Sequence, residues 1–128
     1  AIGSLLGALG LMLALLLQGA SGRITAWLYP DTYQLTTHAL QVMAWTLPIT
    51  FLGNAFGYFL VNEEKQGIRY YMGINLAGLL INMTGNAILI PTHGFIGAAW
   101  MTVATDGLTT LAMVFSAAWI AYGKAGRE

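Results

Sequence analysis

One acid stands in the middle of an apolar stretch. Asp106 shares a helical face with Thr102, Thr109 and Ser116, with Met113 as the apolar member, because these positions recur at three- and four-residue steps. A carboxylate at the centre of a bilayer costs about 2.5–3.5 kcal/mol on insertion scales. Such a group faces a cavity or a partner, and it often marks the path of an ion, a proton or a substrate. Two readings of Asp106 follow. It is a cation or proton site, or a partner for sugar hydroxyls. Alternatively it is a structural acid, protonated or hydrogen-bonded to Asn82 or Thr105.

A second polar face precedes it. Asn75, Gly78, Asn82, Gly85 and Asn86 also recur at helical spacing. Asn54 lies beside the Gly53 and Gly57 pair in an earlier run. An asparagine amide both donates and accepts, which suits sugar hydroxyls. It suits interhelical hydrogen bonds of about 0.6 kcal/mol equally well. Asn75, Asn82 and Asn54 join Asp106, Thr102 and Thr109 as pathway candidates, and Asn86, at a helix end, reads as structural. Lipid satisfies neither amide nor carboxyl, so both faces should point at protein or at water.

Other chemistries lack their residues. With two histidines, His38 and His93, at membrane edges, no nucleophile with a base and an orienting acid can be assembled. Cysteine is absent and one acid lies inside the spans, so neither a metal centre nor a cofactor is expected. No glycine loop for a nucleotide is present. The reading is of a protein that is not an enzyme. Arg23 reads as a snorkelling side chain.

The elements that must position these residues are membrane helices. Only 8% of the 128 residues are charged, against about 25% in soluble domains. The mean hydropathy is +0.67. The formal net charge is zero, which leaves no electrostatic footprint for nucleic acid. The fold class is all-α and polytopic, with four transmembrane helices at about 1–18, 38–61, 71–90 and 95–122. Each is near the roughly 20 residues needed to cross a bilayer. Residues 24–29, rich in aromatics, read as an interfacial segment inside a polar connection over 19–37. Pro48 should kink the second helix and is a candidate hinge. Residues 62–69 form a solvated, charged turn. Pro91, with the turn through Gly94, should break the third helix and return the chain as a hairpin. Lys65, Arg69, Lys124 and Arg127 lie on one side and Arg23 on the other, which places the Lys65 loop and the C-terminus in the cytoplasm.

Residues 82–106 carry a more specific pattern: Asn82, Asn86, Leu89-Ile90-Pro91, His93-Gly94, Gly97-Ala98-Ala99, Ala104-Thr105 and Asp106. This pattern resembles the polysaccharide flippases of the multidrug/oligosaccharidyl-lipid/polysaccharide exporter superfamily. The likeness extends over about residues 24–123, with Tyr33 and Leu40 as equivalents of a family Tyr and Leu and Pro30-Asp31 replacing a family glycine. His93 stands where an aromatic is usual, and Asp106 where Glu is commoner. The resemblance implies a helix-turn motif at Asn86, Pro91, Gly94 and Gly97. It also implies a C-terminal fragment of a two-lobed transporter of twelve or more helices, the remaining helices lying in the same chain. The implied function is alternating-access flipping of undecaprenyl-linked oligosaccharide across the bacterial inner membrane, for surface polysaccharide biosynthesis. Its implied partners are the lipid-linked oligosaccharide, membrane lipid, and Na+ or H+ as coupling ion. A multidrug and toxin extrusion cation antiporter of the same superfamily is the alternative. An enzyme acting on lipid-linked sugars and a non-transporting scaffold are the competitors from other classes.

Overall fold

The computed structural model describes residues 2–28, 34–63 and 65–126. Its elements are α1 (Ile2–Leu28), α2 (Gln34–Ala44), α3 (Thr46–Asn62) and α4 (Lys65–Ala125), and no strand occurs among the described residues. By length and composition, three segments are apolar enough to cross a membrane: Gly3–Leu28, Gln34–Asn62 and Lys65–Ala125. The all-α, membrane-type reading of the composition therefore holds.

The third segment cannot be one straight rod. At 1.5 Å per residue its 61 residues would extend roughly 90 Å, about three bilayer cores. It folds back at Gly94, whose φ of 61° and ψ of −149° are open essentially to glycine alone. Residues 65–93 form one arm and residues 95–125 the other. Gly78 faces Thr109, Asn82 faces Thr105 and Gly85 faces Met101, which fixes the two arms as an antiparallel hairpin.

The break differs in place from the expected one. Helix continues through Pro91, Thr92 and His93, and the chain turns only at Gly94. A proline frees one carbonyl of the preceding turn. Membrane helices tolerate this where hydroxyls satisfy nearby backbone groups. Here the freed carbonyl is that of Ala87 beside an exposed Pro91, and Thr92 Oγ1 donates to the next two carbonyls, Ile88 at 3.3 Å and Leu89 at 3.2 Å.

Three other boundaries move. Helix α1 runs to Leu28 rather than about residue 18, so Ile24 to Leu28 belong to it and do not form a separate interfacial piece. Polar residues expected to lie in a connection are on its buried side. The second apolar segment begins at Gln34 and is divided at Trp45, three residues before Pro48. The proline ring clashes with the carbonyl four residues earlier, so α2 ends at Ala44 and Trp45 N donates to Val42 O at 3.1 Å. The charged turn is shorter than expected, because α4 already starts at Lys65. Tyr33 and the Pro30-Asp31 turn lie outside the described residues.

Helix α3 is the centre of the bundle. It packs on α1, on α2 and on α4, whereas α1 and α4 do not touch among the described residues. Leu60, Met113, Ala117 and Ile120 form the buried core, with Phe56, Tyr71 and Ile74 against it. Most large apolar side chains point outward, as lipid-facing helices require.

Candidate functional site

The polar face of the C-terminal arm meets α3 and the N-terminal arm in one cleft. Thr50, Gly53 and Asn54 come from α3, Asn75 from the N-terminal arm, and Asp106, Thr109, Thr110 and Met113 from the C-terminal arm. The cleft holds about 130 Å³.

Close helix contact builds it. An ideal Cβ on Gly53 would lie 2.6 Å from Thr110 Oγ1, so any larger residue there would displace that hydroxyl or part the helices. Thr110 uses that approach to donate to the carbonyl of Ile49 at 3.2 Å. On the opposite wall Gly78 admits the methyl of Thr109. The cleft thus lies where two glycine contacts draw three helical segments together.

Asp106 is half-buried within it. Its carboxylate has no hydrogen bond or ion pair to any other described residue. The neighbours supply neutral oxygens and amides. Thr109 Oγ1 donates to the carbonyls of Thr105 at 3.0 Å and Asp106 at 3.1 Å, which leaves its lone pairs for a ligand. Asn75 Nδ2 donates to Tyr71 O at 2.8 Å, and its carbonyl oxygen remains an acceptor. One carboxylate among hydroxyl and amide oxygens is a donor set for a small hard cation or a proton.

The candidates therefore divide. Asp106, Asn75, Thr109 and Asn54 come together; Asn82 and Thr102 do not join them. Asn82 Nδ2 donates to Thr105 Oγ1 at 3.4 Å and Asn82 Oδ1 accepts from Asn86 at 2.8 Å. Thr102 donates to Ala98 O one turn back, at 3.0 Å. The partners that the structural reading offered to Asp106, Asn82 and Thr105, bond each other instead. Asn86 and Asn82 are thus linked along the N-terminal arm, Asn82 alone bonds across to Thr105, and Asn86 Oδ1 is buried without a partner.

Nearer the turn, Gly97 is buried, and a Cβ there would meet Leu89 O at 2.8 Å. With Gly94 it allows the arms to separate only slightly at the bend. Pro91 is exposed, and His93, also exposed, shares a 2.8 Å hydrogen bond with Thr92. Pro48 lies in the first turn of α3 against Gly10.

Two sets of residues escaped the sequence reading. Thr50 and Thr110 complete the cleft; their signal was the four-residue step to Asn54 and from Asp106. The other set joins α1 to α2. Gln18 Nε2 donates to Gln41 O at 2.7 Å, Gln41 Nε2 to Ser21 Oγ at 3.1 Å, and Thr25 and Thr37 hydroxyls meet at 2.6 Å. Gln18, Ser21 and Thr25 stand at helical spacing and could have been read as one face.

Comparison of the chain with protein-family models, with curated proteins and with solved structures finds no match.

Proposed function

We propose that this chain is a four-crossing segment of a two-lobed transporter in a bacterial inner membrane, with the Lys65 end of α4 and the C-terminus on the cytoplasmic side. Its substrate is an undecaprenyl-linked oligosaccharide, flipped by alternating access, and its Asp106 cleft is the coupling site for Na+ or H+. One observation carries the reading: a carboxylate without a protein partner among the described residues, in a polar cleft within apolar helices. Such a group, half-buried between apolar helices beside the exposed Thr50, Asn54 and Asn75, is unfavourable unless a ligand, water or a proton compensates it. The pattern in residues 82–106 that resembles the flippases supplies the substrate class. The cleft volume of about 130 Å³ suits an ion better than a glycan, so the glycan path lies against the remaining helices.

The test uses the complete transporter in proteoliposomes. A fluorescent polyprenyl-diphosphate glycan should change leaflet, faster with an ion gradient than without. Asp106→Asn, close in shape and uncharged, should abolish the gradient's effect while the protein folds normally. Gradient-driven flipping retained in that variant contradicts the coupling role. No flipping, with drug-stimulated cation exchange instead, identifies the multidrug antiporter of the same superfamily.

A further inference from the structure

Helix α1 lies antiparallel to α2 and α3 and touches both sides of their break. From its N-terminal end, ideal Cβ atoms on Gly3, Gly7 and Gly10 would meet Ala55 at 3.8 Å, Leu52 at 2.9 Å and Pro48 Cα at 2.7 Å. Further along, Gln18 and Ser21 bond Gln41, and Thr25 bonds Thr37. From Gly3 to Thr25 the partners run back from Ala55 to Thr37, so the antiparallel pairing continues past the break at Trp45 with a shift of about one turn.

The two halves of this contact differ in chemistry. On the α3 side Gly10 lies against the Pro48 backbone and the Phe51 ring and Gly7 against the Leu52 side chain, close packing that resists sliding. On the α2 side it is a hydrogen-bonded clamp whose central groups are buried, with Ser21 at 0% exposure and Thr25 at 7%. Opening the clamp would leave its buried hydroxyls and amide without these bonds. Bending at Trp45 would have to break one half or the other, because α1 itself is unbroken from Ile2 to Leu28.

We infer that α1 is a splint: it locks the Pro48 break as a fixed bend, so that α1, α2 and α3 move as one body. The clamp of Gln18, Ser21, Thr25, Thr37 and Gln41 is the lock. Pro48 shapes the helix and is not a working hinge, and conformational change in the chain is carried outside this body.

The test uses spin labels on introduced cysteines in the full protein in lipid nanodiscs, in a background free of other cysteines, to which residues 1–128 contribute none. Leu35 and Tyr58 flank the break and are 59% and 74% exposed. Labels there should give one narrow distance distribution. In the double variant Thr25→Val/Gln41→Leu it should broaden or split, while a reference pair at Tyr58 and Leu111, across α3 and α4, stays narrow. A broad or two-peaked distribution in the native chain overturns the splint. So does a variant as narrow as the native. Where both pairs broaden, the double variant has lost its fold and Thr25→Val alone, which keeps the side-chain shape, decides. Broadening confined to the Leu35–Tyr58 pair upholds the lock, and an unchanged distribution refutes it.

Discussion

Replacing Gly53 with alanine puts a methyl group into the seam that closes the cleft. The new Cβ would lie 2.6 Å from Thr110 Oγ1 but 3.6 and 3.8 Å from Thr110 Cβ and Cγ2, so the hydroxyl alone is too close. That hydroxyl is held by its bond to Ile49 O. It can turn away and lose the bond, which costs about 0.6 kcal/mol on average between membrane helices and up to about 1.7. Otherwise the helices separate, an overpacking cost of about 1–3 kcal/mol. Alanine recovers about 1 kcal/mol of helix propensity over glycine. The balance runs from about zero to a loss of about 2 kcal/mol, at most a fall of about 30-fold in the folded-to-unfolded ratio. Reversible unfolding by a denaturing detergent in mixed micelles measures it. The decisive comparison is with Thr110→Ala, which removes the colliding oxygen. In that background Gly53→Ala should be neutral or stabilising, a coupling expected only of residues in contact. Equal losses in both backgrounds, or a gain in the native one, would refute the reasoning.

Two further outcomes follow from the hairpin. Asn82→Leu strands the Asn86 amide beside an oxygen that is already unpaired, and should cost about 1–3 kcal/mol, whereas Asn86→Leu removes that oxygen with its amide and should cost less; the same unfolding assay ranks them. Gly94→Ala should cost about 1–3 kcal/mol from backbone torsion alone, since no atom lies within 4 Å of the added methyl. Pro91→Ala, at an exposed position inside the helix, should lose nothing, and thermal unfolding in nanodiscs separates the two.

The class of fold was legible because composition and apolar run length state it directly. The hairpin was legible at Gly94, where the backbone needs a residue without Cβ. It was misplaced at Pro91, because a proline removes one backbone bond without necessarily ending a membrane helix, whereas the backbone at Gly94 is open essentially to glycine alone. Ser21 and Thr25 fall in a stretch polar enough to read as a connection, although with Gln18, at the end of the expected first helix, they keep helical spacing. Their partners, Thr37 and Gln41, are 12 to 23 residues away, and no local pattern names them. Half of the cleft was legible for the converse reason: Asp106 and Thr109 share one face. Which of several polar faces a neighbouring helix will cover is settled by packing. The glycines at positions 53 and 78 draw α3 and the N-terminal arm onto Asp106 and leave Asn82 facing Thr105.

The central claim is that the Asp106 cleft is a polar pathway open to water inside an apolar bundle. Single cysteines in the complete protein, probed with a small, membrane-impermeant cationic thiol reagent, test it most directly. Asn54→Cys and Thr109→Cys, which line the cleft, should react, and Na+ at constant pH should slow them if it is the ion held there. Leu111→Cys and Phe115→Cys, exposed on the outer face of the same arm at 57% and 72%, should stay unlabelled within lipid. Silence at Asn54 and Thr109, or labelling equal to that at Leu111 and Phe115, would contradict the account.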